Sequence, residues 1–185
     1  MLSKKYLYAL FFLFFSNQHV KANEIENILQ KINGIKSMSF NFSQIIDNKK
    51  EEGDCILLFP DRLKCNYNDS KQKELIINKK RLSITQKRYD KTYHYPIKNS
   101  PFLKFLNKKK LKDIIVKSEM TILEDKLQLI NMQENGKQLT IFFNRNNYNL
   151  AGWIINDQFN NNIIFLINIT KLNENFSNED FKIVY

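Results

Sequence analysis

Short segments rich in β-branched and aromatic residues follow one another from residue 38 to residue 172. Turn-forming pairs such as Asn135-Gly136 and Asn146-Asn147 separate them at the spacing of hairpin loops. No glycine-rich or proline-rich linker divides the chain, so these segments belong to one β unit, an antiparallel meander or barrel. We expect strands over residues 38–46, 54–59, 63–68, 74–78, 81–87, 91–96, 118–123, 126–133, 137–144, 148–156 and 161–172.

The first predicted hairpin carries both cysteines of the chain. Residues 37–44 alternate polar and apolar side chains with a period of two, which is typical of a strand with one buried face. A turn centred near Pro60 places Cys55 and Cys65 directly opposite each other on the two arms. In an oxidising compartment they can form a disulfide bond, and the alternative is two buried free thiols.

The first 22 residues have the pattern of a signal peptide. Lys4 and Lys5 precede a continuous apolar run over residues 7–15, and Val20-Lys21-Ala22 offers a cleavage site after Ala22. The run is too short for a helix that spans a bilayer, which needs about 20 apolar residues. An uncleaved N-terminal anchor is the weaker interpretation. We therefore expect a signal peptide over residues 1–22 and export to the periplasm.

Cleavage leaves residues 23–185, a length typical of a single domain with a substantial core. The formal net charge falls from +10 to +7, because three lysines leave and no acidic residue does. Export argues against a nucleic-acid partner. The only dense basic cluster, Lys108-Lys109-Lys110 with Lys112, is either a solvated face or a contact with an acidic partner surface.

Two segments interrupt the strand pattern with helical spacing. Residues 24–35 place isoleucines and a leucine on one face, with Asn23 as a candidate cap and Gly34 near the end. Residues 100–106 begin with Ser100-Pro101, which suits a helix start, and are strongly apolar. This second helix is either a plug over an ordinary core or a lid over a cavity.

Several motifs occur in a fixed order along the mature chain. They are Met38, Phe42 and Gln44 in the first strand, Gly53 followed by Pro60 at the hairpin, Ser100-Pro101-Phe102-Leu103, Leu150-Ala151-Gly152-Trp153 with Asn156-Asp157-Gln158, and residues 173–181 up to the final Phe181. Together they resemble the LolA family of periplasmic lipoprotein carriers. Each motif alone is weak, whereas the ordered set covers nearly the whole mature chain.

The resemblance implies an incomplete, unclosed antiparallel β-barrel of about 10–11 strands, with an N-terminal helix and a short helical lid. It implies a periplasmic carrier that shields the acyl chains of lipoproteins in an apolar cavity and moves them from the inner to the outer membrane. The implied partners are acylated lipoproteins, an inner-membrane lipoprotein-releasing transporter and an outer-membrane receptor, and the carrier is expected to be a monomer. One departure concerns the lid, because the family's arginine before the turn proline is Phe59 here.

The candidate lipid-binding residues are apolar, and most lie on strand faces set by alternation or in the predicted lid. They are Met38, Phe40, Phe42, Leu57, Phe59, Leu82, Ile84, Phe102, Leu103, Leu106, Ile141, Phe143, Trp153 and Phe165. Any apolar stripe is also a candidate for ordinary core.

No pattern in the sequence predicts catalysis, a cofactor or a metal site. His94 is the only histidine after residue 22, and it lies between two tyrosines on a predicted strand. One histidine and two cysteines are too few for the usual zinc ligand sets. The remaining alternatives to a carrier are a lipid- or lipoprotein-sensing module of the same fold and a scaffold domain with a filled core.

We predict that signal peptidase cleaves the exported chain after Ala22, because that bond follows the apolar run at the usual distance. N-terminal sequencing of the periplasmic protein should therefore begin at Asn23. Recovery of residues 1–22 in a membrane fraction would contradict the prediction.

Overall fold

The computed structural model describes residues 20–97, 104–133, 136–156 and 161–183. The apolar run of the expected signal peptide lies outside these residues. Helix α1 covers residues 20–34 and ends at Gly34, as the sequence predicts. Asn23 lies inside α1 and does not cap it, because the helix continues upstream through residues 20–22. No helix in the described part of the chain is long and apolar enough to cross a membrane.

Eleven strands form one antiparallel sheet. They are β1 (Ser37–Ile46), β2 (Lys49–Leu58), β3 (Arg62–Tyr67), β4 (Lys73–Asn78), β5 (Arg81–Gln86), β6 (Lys91–Pro96), β7 (Glu119–Ile122), β8 (Lys126–Met132), β9 (Gln138–Asn144), β10 (Leu150–Asn156) and β11 (Asn162–Leu172). Their order is β6-β5-β4-β3-β2-β1-β11-β10-β9-β8-β7. The predicted fold class, a mainly β protein with an unclosed antiparallel sheet, is confirmed.

Strand β2 is longer than the sequence suggested, since it begins at Lys49 and not at residue 54. A tight turn at Asp47-Asn48, both with positive φ, brings Lys49 opposite Ile46. The hydrogen-bond ladder then continues through Lys49-Lys50-Glu51-Glu52, whose polar side chains resemble a loop in sequence. Pairing with β1 therefore outweighs the low strand propensity of this segment.

Alternation along the strands gives the sheet two different faces. Met38, Leu57, Leu63 and Ile77 lie side by side in register on four neighbouring strands, and all four are buried. This inner face packs against α1 through Ile28 and Ile32 in one continuous hydrophobic core. The outer face carries mostly polar side chains.

The second helix, α2 (Lys108–Val116), differs in position from the predicted lid helix. Residues 98–103, including the candidate lid residues Phe102 and Leu103, lie outside the described residues. Residues 104–106 form a turn, and α2 begins only after Asn107, whose side chain accepts a hydrogen bond from the Lys110 N–H. The helical cover of the inner face is thus α2, with Leu111 and Ile115 buried against the core.

The C-terminal segment packs on the outer face of the sheet. Phe181 and Ile183 form a small separate core with Ile76, and the Asn78 side chain donates a hydrogen bond to the Phe181 carbonyl over 3.1 Å. Burial of each such side chain stabilises the fold by roughly 1.5–3 kcal/mol. The segment therefore stabilises β4 from the side opposite to the inner face.

Cys55 and Cys65 are direct partners in the β2–β3 ladder and are joined by a disulfide bond. Both are buried on the inner face, with exposed fractions of 1% and 3%. The bond links the two strands that form the first hairpin.

We predict that replacing both cysteines, Cys55→Ser/Cys65→Ser, lowers the free energy of unfolding by about 2–3 kcal/mol, because the bond closes a short loop in the unfolded chain. Denaturant unfolding of the exported protein measures the loss. Thiol counting under denaturing, non-reducing conditions is the companion experiment, and two free thiols in the parent protein would contradict the prediction.

Candidate functional site

An apolar cavity of about 30 Å³ lies between the inner face of the sheet and α2. Its lining is entirely aliphatic and aromatic: Met38, Phe40, Leu57, Phe59, Leu63, Phe105, Leu106, Leu111, Leu150, Trp153, Phe165 and Ile167. The volume corresponds to about one water molecule. In this conformation the protein's own side chains fill the concave face.

A column of stacked rings crosses the inner face. Phe105, Trp153 and Phe165 stack with ring centroids 4.1 Å and 4.6 Å apart, and Phe42 continues the stack 5.1 Å beyond Phe165. Tyr67 closes the column edge-on at 4.9 Å from Phe42. Aromatic rings are large and apolar, and they contact one another through flat faces that tolerate sliding.

Polar groups surround the far end of this column, at Tyr67. The Tyr67 hydroxyl lies 3.4 Å from the Gln44 side-chain oxygen, and the Lys73 ammonium sits 3.8 Å from the Tyr67 ring centroid. Lys73 in turn forms an ion pair with Glu51 over 2.6 Å. Burial raises the pKa of Tyr67, and the charges of Glu51 and Asp69 raise it further, so the phenol stays neutral.

We call residues 104–116, comprising the turn at 104–106 and α2, the cover. Its apolar side chains Phe105, Leu106 and Leu111 reach into the cavity. Among the described residues its polar contacts with the sheet and the adjoining loops are few: the Asp61 N–H donates to the Leu106 carbonyl over 3.0 Å, the Asn131 side chain reaches the Ile114 carbonyl at 3.5 Å, and the Lys104 ammonium donates to the Gln133 side-chain oxygen. The part of the cover that faces the cavity makes apolar contacts.

Phe59 connects the cover to the first hairpin. Its ring borders the cavity, and the Lys108 ammonium lies 5.2 Å from the ring centroid, within the range of a cation–π contact. Phe59 occupies the position that is an arginine in the family it resembles. Arg62, three residues further on, alternates with the inward-facing Leu63 and so belongs to the outer face.

Seven of the predicted lipid-binding residues border the cavity: Met38, Phe40, Leu57, Phe59, Leu106, Trp153 and Phe165. Phe42 lies next to it in the ring column. Ile141 and Phe143 are fully buried in the same core but do not border the cavity. Leu82 is half-buried and packs against this core. Ile84 is half-buried on β5, further along the sheet.

Five lining residues were not among the candidates: Leu63, Phe105, Leu111, Leu150 and Ile167. Leu63 could have been found, because it alternates with Cys65 and faces Leu57 across the hairpin. Leu111 has helical spacing with Ile114 and Ile115, a signal hidden by the preceding lysines. Leu150 could not have been found from the sequence, since a bulge between Leu150 and Gly152 breaks the alternation and turns Leu150 to the same face as Trp153.

The chemistry available at the cavity is apolar contact. Across the described ranges of the chain, no group of three or more histidine, cysteine, aspartate or glutamate side chains could hold a metal ion. Twelve apolar side chains around a small cavity, under a cover with few polar bonds, suit exchange of protein side chains for an apolar ligand.

The sequence matches the family model for the outer membrane lipoprotein carrier protein LolA over residues 33–184. No curated protein matches it. Among solved structures, the chain is similar to a LolA superfamily protein from Nitrosomonas europaea, with 8% identity, a TM-score of 0.45, and coverage of 85% of this chain and 96% of that one. It is also similar to the lipoprotein LppX of Mycobacterium tuberculosis, with 13% identity, a TM-score of 0.48, and coverage of 85% and 97%.

We predict that Gly53→Ala destabilises the inner face, because an added Cβ would lie 2.0 Å from the Asn66 carbonyl oxygen and 2.8 Å from the Phe42 ring. Such overpacking costs about 1–3 kcal/mol. The matched control is Gly34→Ala, where no atom lies within 4 Å of the new Cβ and the expected change is within about 0.5 kcal/mol. Thermal unfolding compares the two variants, and equal midpoints would contradict the prediction.

Proposed function

The chain belongs to the LolA family of outer membrane lipoprotein carrier proteins, and on that premise we propose that its cavity holds the acyl chains of lipoproteins during transfer between membranes. In this proposal the exported protein receives its cargo from an inner-membrane lipoprotein-releasing transporter. It delivers the cargo to an outer-membrane receptor. The sequence pattern of a signal peptide over residues 1–22 supports a periplasmic location.

The observation that carries the proposal is the entirely apolar lining of the cavity beneath the cover. An acyl chain is far larger than a volume of about 30 Å³, so binding requires Phe105, Leu106 and Leu111 to move away from the sheet. The ring column of Trp153, Phe165 and Phe42 would then form the wall against which the chain lies.

The energies of this exchange are similar in size. Removing an acyl chain of sixteen carbons from water yields on the order of 10 kcal/mol, at about 0.8 kcal/mol for each methylene. Exposing the three side chains of the cover costs about 1.5–3 kcal/mol for each. Because the cost of exposing the cover cancels a large part of this gain, the cargo is held in water and still passes to a better site.

Apolar contact is also the appropriate kind of attachment for a carrier of many cargoes. Dispersion and hydrophobic contacts have little directionality, so they do not depend on the protein part of a lipoprotein. A buried charge in the lining would penalise the acyl chain, and none of the lining side chains is charged.

We predict that a dibrominated stearate quenches the fluorescence of Trp153, the single tryptophan of the chain. Bromine quenches at contact distance, and Trp153 lies in the cavity wall beneath Phe105. Titration of the exported protein should remove most of the emission, while unbrominated stearate should not. Absence of quenching at saturating stearate would overturn the proposed function.

The variant Phe105→Ser/Leu106→Ser locates this site under the cover. It removes the side chains that compete with the ligand, so brominated stearate should bind about tenfold more tightly. The matched control, Phe181→Ser/Ile183→Ser, removes a similar apolar pair from the outer-face core. That control should lose stability without any gain in affinity, and an equal gain in both variants would contradict a site under the cover.

A further inference from the structure

Two lysines, Lys108 and Lys112, meet at the edge of the cavity where α1 ends and α2 begins, and a third, Lys36, lies near them. The Lys108 ammonium donates to the Asn33 carbonyl over 3.2 Å, and the Lys112 ammonium donates to the Asn33 side-chain oxygen over 3.0 Å. Both ammonium groups therefore lie beside the same residue. Lys36 follows three residues after Asn33, and its charge acts on Lys108.

Phe59 places this lysine cluster, Lys36, Lys108 and Lys112, directly at the cavity. The Phe59 ring borders the cavity and contacts the Lys108 ammonium, while its backbone N–H donates to the Lys36 carbonyl over 3.0 Å. Leu111, on the same helix between Lys108 and Lys112, also borders the cavity. The charged cluster and the apolar lining thus share one boundary.

The two helices do not need three lysines at this position for their own stability. One lysine near the C-terminal end of α1 suits the helix dipole, and Lys108 fulfils that role at the Asn33 carbonyl. Helix α2, however, begins with three lysines and has no acidic residue in its first turn, which opposes its own dipole. None of the ion pairs in the described ranges involves Lys36, Lys108 or Lys112.

The cluster is electrostatically unfavourable by itself. Burial lowers the pKa of Lys108, and the neighbouring charges of Lys112 and Lys36 lower it further. An anion at this position would relieve the repulsion, and each ammonium group still has N–H donors that Asn33 does not use.

We propose that Lys36, Lys108 and Lys112 bind the anionic, phosphate-bearing headgroup of a lipid whose acyl chains occupy the cavity. This inference rests on the part of the proposed function that puts acyl chains in the cavity, and it adds a second ligand class to the lipoproteins, whose anchors carry no phosphate. A lipid entering under the cover leaves its polar end at the boundary near Phe59, within reach of the three ammonium groups. Lysine ammonium groups bind phosphate as compact point charges and do not require a planar partner.

Binding of the headgroup also acts on the cover. A phosphate that attracts Lys108 and Lys112 competes with Asn33 and with the Phe59 ring for the same ammonium groups. It therefore weakens the contacts that hold the first turn of α2 in place. An anionic lipid promotes its own entry in this way, which an uncharged lipid does not.

The test uses the emission of Trp153 with two dibrominated phospholipids that have the same acyl chains, phosphatidylglycerol and phosphatidylcholine. At low ionic strength we expect the anionic phosphatidylglycerol to bind at least about tenfold more tightly. In Lys108→Gln/Lys112→Gln the ratio of the two affinities should fall at least about threefold, whatever the change in the affinity for phosphatidylcholine. Quenching of Trp153 by phosphatidylcholine, together with a cooperative thermal unfolding transition, serves as the check that the variant is folded.

The matched control is Lys109→Gln/Lys110→Gln, which removes the same charge from exposed positions of the same helix. It should keep the preference for phosphatidylglycerol. An equal loss in both variants would assign the preference to net charge and overturn the lysine cluster as the site. Equal affinity of the parent protein for the two lipids, as expected if the cluster docks an acidic protein surface, would overturn the inference and leave the proposed function intact.

Inorganic phosphate distinguishes the two sources of the anion. If millimolar phosphate raises the thermal unfolding midpoint of the lipid-free protein while chloride at the same ionic strength does not, and the parent binds the two phospholipids equally, the ligand is free phosphate and the lipid assignment is wrong. If neither phospholipid nor stearate quenches Trp153, the proposed function and this inference fail together.

Discussion

The inner face of a single, unclosed sheet must be covered, and this requirement shapes the rest of the molecule. Eleven strands in one antiparallel order satisfy their backbone hydrogen bonds with their neighbours, but they present a broad apolar surface. A closed barrel would bury that surface against itself. Here α1 and the cover bury it instead, through Ile28, Ile32, Leu111 and Ile115. The protein therefore depends on a contact between the sheet and segments that are not part of it.

The two covering segments are attached in different ways. Helix α1 is tied to the sheet at its C-terminal end, because the Asn173 side chain bonds the Lys36 N–H and the Gly34 carbonyl, and the Asn173 N–H bonds the Ser37 carbonyl. The cover is bonded to α1 through Lys108 and Lys112 and to the first hairpin through the Leu106 carbonyl, while its cavity-facing ring, Phe105, stacks on Trp153. Directional hydrogen bonds specify one geometry, whereas stacked rings and aliphatic contacts allow exchange with another apolar group. The apolar side chains of the cover are therefore the ones suited to exchange with a ligand.

Polar and apolar chemistry meet at one boundary of the cavity. The far end of the ring column is closed by Tyr67, Lys73 and Glu51, where each charge has a partner. The near end carries Lys36, Lys108 and Lys112, whose partners are an amide and a carbonyl and not carboxylates. Like charges that converge without a counterion lower local stability. Under the proposed function, this asymmetry would give the cavity a direction, with an apolar interior and a cationic entrance.

The sequence by itself determined the approximate number and bounds of the strands, the position of Cys55 opposite Cys65, and the shared face of residues such as Met38, Phe40 and Phe42. Period-two alternation and turn chemistry are local properties, so they can be read without knowledge of distant contacts. Only the tertiary structure decided that Leu150 shares a face with Trp153, because a bulge in the β9–β10 ladder arises from pairing. Likewise, only folding brings Lys36 and Lys108 together at Asn33 and Phe59. The approach of α2 to α1 depends on burial of the whole inner face, and no periodic pattern in the sequence predicts it.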